Sequence, residues 1–143
     1  MKKMFVLIPA LFAALALGAQ EPDGETPKTP EQREKEFYES IDRQVERLTE
    51  ALDLADWQIF YVDSILTHDA KAMRAEAEAL SKNKASSPEP YIVIQDRWME
   101  QTDRALRKVF NDEQWGKYLK GSAGKARKAR EKRAAKRAKK QGL

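Results

Sequence analysis

The chain has 143 residues, 35% of them charged, and no cysteine. With a leader and a linker set aside, the remainder suffices for one small domain and leaves no room for a deep substrate cavity. The missing cysteines exclude disulfide frameworks, thiolate metal centres, cysteine nucleophiles and the lipid-attachment cysteine of a bacterial lipoprotein. The net charge of +4 hides a division: residues 125–140 carry ten Lys or Arg against one Glu, whereas residues 20–124 carry fifteen against twenty-two Asp or Glu.

Lys2 and Lys3, the apolar run from Met4 to Leu17, and the small-residue exit at Gly18 and Ala19 form the pattern of a cleavable secretory signal peptide over residues 1–19. The apolar run is shorter than the ~20 residues needed to span a bilayer. The expected location of the mature chain is therefore the periplasm, with cleavage after Gly18 or Ala19. Residues 20–29 combine Pro, Gly, Thr and acids without apolar periodicity and read as a flexible linker.

Thr29, Pro30 and Gln32 make a helix start, with threonine as cap, proline in the first turn and glutamine able to reach back to the cap. Phe37, Ile41, Val45, Leu48 and Leu52 then recur at spacings of four, four, three and four, one apolar stripe on an amphipathic helix. A second helix is expected from about Asp56 to Lys84. Trp57, Ile59, Phe60, Tyr61, Val62, Ile65, Leu66 and Met73 give its first half a wide buried face, and its alanine-glutamate end is expected to project. Residues 81–90 read as a turn. Ser87 and Pro88 are expected to open a third helix carrying Tyr91, Ile94, Trp98, Ala105 and Val109 along one side. A fourth helix starts at Asn111 and contributes Trp115, Tyr118 and Leu119. Gly121 and Gly124 weaken it before a basic tail, residues 121–143, whose composition permits helix without supplying a core.

The chain therefore predicts an all-α fold, with a helical domain over residues 30–120. No stretch alternates as a strand would. Within it one pattern occurs twice: Leu54, Ala55, Asp56, Trp57, Gln58, and Phe110, Asn111, Asp112, Glu113, Gln114. Each is an apolar residue, a small or capping residue, and a glutamine placed to close a helix entry. These elements resemble the Leu-Thr-x-x-Gln motif of the Spy/CpxP family of periplasmic stress proteins, and the order of leader, linker and helices over residues 31 to about 120 is similar to that family. Ala55 stands in place of the threonine in the first copy, and Phe110 and Asn111 in place of Leu-Thr in the second. The resemblance implies a thin body of four helices in interlocked hairpins, a curved homodimer, and a concave face that holds unfolded or partly folded proteins without ATP. It carries over Leu54, Gln58, Phe110 and Gln114 as structural motif positions.

No arrangement of residues points to catalysis. His68 is the only histidine and reads as a surface or packing residue, since a zinc site needs several convergent ligands. The carboxylates spread along charged helix faces rather than pairing in a cleft. Ser40 and Ser64 lack a glycine elbow or a histidine partner, and no glycine-rich phosphate loop occurs. The expectation is a non-enzyme with no cofactor and no metal. The aromatic residues either fill the core or form a client-binding surface. Trp57 and Trp115 are assigned to the core by their place in the motifs, and Tyr61, Tyr91, Trp98 and Tyr118 are the candidate client contacts.

Lys125, Arg127, Lys128, Arg130, Lys132, Arg133, Lys136, Arg137, Lys139 and Lys140 admit three readings. A nucleic-acid arm has the charge but lacks interleaved aromatics. Attraction to anionic membrane or lipopolysaccharide suits the envelope. The third reading is a solvated extension, one that can fold against the acidic body. Two functions follow: an ATP-independent periplasmic chaperone or envelope-stress adaptor, or an envelope structural protein whose tail contacts anionic glycolipid.

Overall fold

A computed structural model describes residues 26–84 and 86–143. The proposed leader and most of the proposed linker lie outside the described residues. Within them the chain is 85% helical and without strands, in five helices: α1 (Pro30–Leu52), α2 (Asp56–Lys82), α3 (Glu89–Val109), α4 (Asp112–Lys120) and α5 (Ser122–Lys140). None of these helices is long and apolar enough to cross a membrane.

The cap expected at Thr29 is formed in both directions. Its hydroxyl accepts from the Gln32 N–H at 3.1 Å, and the Gln32 side chain accepts from the Thr29 N–H at 2.8 Å, so two donors at the helix start are satisfied. The apolar stripe of α1 is the heart of the core: Ile41, Val45, Leu48 and Leu52 are buried. Against it pack Val62, Leu66 and Ala70 of α2, Leu106 of α3, and the turn residues Leu54 and Phe110, with Phe37, Ile59, Ile65, Val109, Trp115 and Tyr118 half-buried around them. Asp53 ends α1 in the left-handed conformation, φ 50°, with its N–H on the Thr49 carbonyl, and this corner drives Leu54 inward.

Two expectations about α2 need correction. Its buried face is narrower than expected, because Trp57, Phe60 and Tyr61 point to solvent and the inward row is Gln58, Val62, Leu66, Asp69, Ala70 and Met73. Nor does its second half simply project: the helix ends at Lys82, and polar contacts tie its thinning apolar row to its neighbours. Arg74 donates to Glu34 of α1 at 2.8 Å and lies over the Phe37 ring, while Glu76 accepts from Arg97 and from the Trp98 indole of α3. The start of α3 also differs from expectation. Pro88 occupies the cap position, no side chain closes it, and Glu89 is the first helical residue.

Beyond α4 the chain turns a corner. Gly121 is extended, φ −85° and ψ −160°, and separates α4 from α5. A Cβ on Gly124 would lie 1.8 Å from the Leu119 carbonyl oxygen, so only glycine permits the backbone of α5 to close this tightly on the end of α4. The basic segment is thereby turned back along α3, rather than leaving the body as a continuation of α4.

Candidate functional site

The four motif positions converge. Leu54, Gln58, Phe110 and Gln114 are all buried, although Leu54 and Phe110 lie 56 residues apart. At the centre the two glutamine amides face each other. Gln58 Nε2 donates to Gln114 Oε1 at 2.7 Å, and Gln114 Nε2 donates to Gln58 Oε1 at 3.0 Å. Each amide oxygen also accepts the N–H at its own helix start, Ala55 for Gln58 and Asn111 for Gln114, both at 3.0 Å. Each remaining amide hydrogen crosses to the other hairpin: Gln58 to the Val109 carbonyl at 3.0 Å, Gln114 to the Leu52 carbonyl at 3.2 Å. Both side chains thus use two donors and two acceptor positions, the full capacity of an amide. The Asn111 side chain closes its cap on the Gln114 N–H at 2.8 Å. Ala55 has no acceptor, so the first copy makes only the glutamine half of the box. A buried polar network with every group satisfied rigidifies its surroundings. This one clamps the α1–α2 turn to the α3–α4 turn.

A second cluster is on the outside. Trp57 is 58% exposed, Phe60 67% and Tyr61 52%, with Phe60 and Tyr61 three and four residues after Trp57 along the first turns of α2. Their rings meet edge to face, Trp57 with Tyr61 at 6.2 Å and Phe60 with Tyr61 at 5.6 Å. The same helix presents Gln58 and Val62 inward to the clamp and the core, so the aromatic row stands on a well-anchored base. Of the candidate client contacts, Tyr61 belongs to this row. Tyr91 is half-buried at the start of α3, and Trp98 is half-buried with its indole N–H on Glu76. Tyr118 packs against the core, stacks on Trp115 at 5.3 Å and donates its hydroxyl to Asp103 at 2.7 Å, so its ring is committed internally. Trp115 is half-buried against the core as expected, with the guanidinium groups of Arg107 and Arg127 over its ring. Trp57 is not a core residue, because its place one residue before Gln58 turns it away from the clamp. Sequence reasoning missed Trp57 and Phe60 as exposed; a wheel phased on Val62, Leu66 and Met73 would have put both on the outer side.

The third feature joins α5 to α3. Arg130 and Asp103 are buried together, 5% exposed each, and hydrogen-bonded, with Glu100 at 3.7 Å from the same guanidinium. Arg133 grips Asp96 with two bonds, 2.9 and 2.7 Å. Arg137 bridges Asp96 at 3.1 Å and Glu89 at 2.9 Å. The acids fall seven residues apart, at 89, 96 and 103, and Arg130 and Arg137 share that spacing. Two rows of opposite charge at one helical period are a signal that the sequence alone carries. Partial burial pushes the Asp96 carboxyl up, but hydrogen bonds from Arg133 and Arg137, with their charge, outweigh this and hold it below the usual carboxylate range. Burial, then the charge of Asp103 and the hydrogen bond to it, pushes the Tyr118 hydroxyl well above the ordinary tyrosine value.

Ten basic residues expected to act together are therefore divided. Arg130, Arg133 and Arg137 are spent on the acidic row of α3, and Arg127 pairs with Glu131 and lies over Trp115. Lys125, Lys128, Lys132, Lys136, Lys139 and Lys140 are exposed. His68 bonds to Asp69 at 2.8 Å with its side chain largely in solvent, and no group of three or more metal-ligating side chains occurs among the described residues. Compared with protein-family models, with curated proteins and with solved structures, the chain matches none.

Proposed function

We propose that this chain is an ATP-independent chaperone or stress adaptor of the periplasm, holding unfolded or partly folded polypeptides on the outer aromatic row of α2. One observation carries the reading: Trp57, Phe60 and Tyr61 stand together in solvent on a helix whose other side is locked by the Gln58–Gln114 clamp. Fully burying one large apolar side chain is worth roughly 1.5–3 kcal/mol, and aromatic rings supply contact area at small entropic cost. Three such rings on a rigid base suit clients defined by exposed apolar segments rather than by sequence. Export through the leader and assembly into a curved homodimer complete the proposal. In that dimer the aromatic row faces the client and is not the subunit interface.

The test is suppression of aggregation of a chemically unfolded model protein, without nucleotide, by the wild-type chain and by a W57S/F60S/Y61S variant of unchanged helicity. The wild type should suppress light scattering at near-stoichiometric ratio, and the variant should lose most of that activity. Equal activity of the two would remove the aromatic row as the client surface.

A further inference from the structure

The cations of α5 are sorted by type around the helix. At 100° per residue, Arg130, Arg133 and Arg137 fall within roughly 60° of one another, and Lys125, Lys128, Lys132, Lys136 and Lys139 fall within roughly 80°, centred about 130° away from the arginines. The lysine spacings are three, four, four and three, so the five form one straight row roughly 21 Å long at 1.5 Å per residue. All five are exposed, and no ion pair holds any of them among the described residues. The arginines, whose planar fork suits carboxylates in confined geometry, are used internally on Asp96, Asp103 and Glu89.

This row differs from the other exposed helix surfaces of the molecule. Several cations elsewhere have an acid four residues away: Lys35 and Arg43 with Glu39, Arg74 with Glu78, Arg104 with Glu100, Lys117 with Glu113. The lysine row contains no acid. The one acid of α5, Glu131, is paired with Arg127. Lys128, Lys132, Lys136 and Lys140 follow one another at spacings of four, which in a helix is repulsive by a few tenths of a kcal/mol per pair. A face kept only for solubility needs no such concentration of one sign, and an external anionic surface relieves it.

We infer that the outward face of α5, Lys125, Lys128, Lys132, Lys136 and Lys139, is a docking surface for an anionic lipid membrane. Charge complementarity and shape select that occupant. A straight row of hydrated point charges on flexible stems matches a plane of mobile phosphate headgroups. It is poorly suited to nucleic acid, because the bidentate and stacking arginines face inward and no aromatic residue lies on α5 to stack on bases. The lysine row also lacks the apolar side chains that would drive insertion, so attachment is peripheral and reversible. It does not depend on the role of the aromatic row of α2.

The experiment is co-sedimentation of the purified protein with vesicles of phosphatidylcholine containing about a third phosphatidylglycerol, and with phosphatidylcholine alone. Each basic residue near an anionic leaflet strengthens binding roughly fivefold, so K125Q/K128Q/K132Q/K136Q/K139Q should weaken binding to the anionic vesicles by more than about a hundredfold. A charge-matched control, K35Q/K71Q/K82Q/K108Q/K120Q, removes five exposed lysines from the other helices and should bind within about threefold of wild type. Lysine-to-arginine substitution at the five α5 positions should preserve binding. Equal losses in the two glutamine variants would show attraction to net charge alone and overturn the inference, as would full binding by the α5 variant. Tighter, lysine-row-dependent binding to a single-stranded oligonucleotide than to the anionic vesicles would assign the face to nucleic acid instead.

Discussion

Gln58 and Gln114 show how two residues 56 positions apart in sequence can govern one structural feature. Replacing either with alanine leaves the other amide short of a donor and an acceptor, and strands a carbonyl at the end of α1 or α3. A buried polar group left unpaired costs about 1–3 kcal/mol, so Gln58→Ala or Gln114→Ala should each lower stability by roughly 2–3 kcal/mol in urea unfolding. The double variant should cost less than the sum, because the shared bonds are lost only once; strict additivity would mean that the amides act separately. Gly124 presents the opposite case, a position defined by what it lacks. In Gly124→Ala the new methyl meets the Leu119 carbonyl at 1.8 Å, and the α4–α5 corner must open. Amide hydrogen exchange should then rise throughout α5 and stay near wild type in α1 and α2. Unchanged protection of α5 would show that the corner tolerates a side chain.

At the scale of elements, α5 is held chiefly by long arginine side chains reaching to α3, and the three do not contribute equally. Arg130 and Asp103 are buried together, and removing one partner of a buried pair leaves an uncompensated charge, at a cost of about 3–5 kcal/mol. Arg137 is more accessible and shares Asp96 with Arg133, so its loss should cost less than about 1 kcal/mol. Thermal unfolding of Arg130→Ala and Arg137→Ala should separate them in that order. Attachment should also depend on pH at both extremes. Asp96 is held below its ordinary value in the fold, so its contribution is present above the unfolded carboxyl value near 4 and is lost as pH falls through the lower folded value. Tyr118 is raised, so the folded chain keeps a proton that the unfolded chain releases near pH 10, and stability falls as pH rises beyond that. Trp115 stacks on Tyr118 and lies beside Arg127 of α5. Its fluorescence should therefore report the release of α5 at low pH before the far-UV helix signal of the core declines, and a single coincident transition would show that α5 has no separate stability.

For the whole molecule, two exposed surfaces differ in chemistry: an aromatic row on α2 and a lysine row on α5, each backed by a face committed to internal packing or pairing. Sedimentation of the wild type and of W57S/F60S/Y61S distinguishes an aromatic client surface from a subunit interface. Both should sediment as dimers, and conversion of the variant to monomer would reassign the row. Much of this architecture could be read along the chain. The stripe from Ile41 to Leu52, the caps at Thr29 and Asn111, and the paired glutamine motifs depend on helical period and on bonds within one turn, and such local relations are written in neighbouring residues. The outward placement of Trp57 and Phe60, the inward commitment of Tyr118 and the division of the ten basic residues were settled only when the helices met. A helix with many apolar residues can bury several alternative faces, and the Gln58–Gln114 clamp together with the Gly124 corner decides which face of α2 and which face of α5 turn inward. Sequence periodicity therefore determined that these segments are helices, whereas tertiary packing decided which of their side chains meet solvent, because burial is a property of what lies opposite a residue and not of the residue itself.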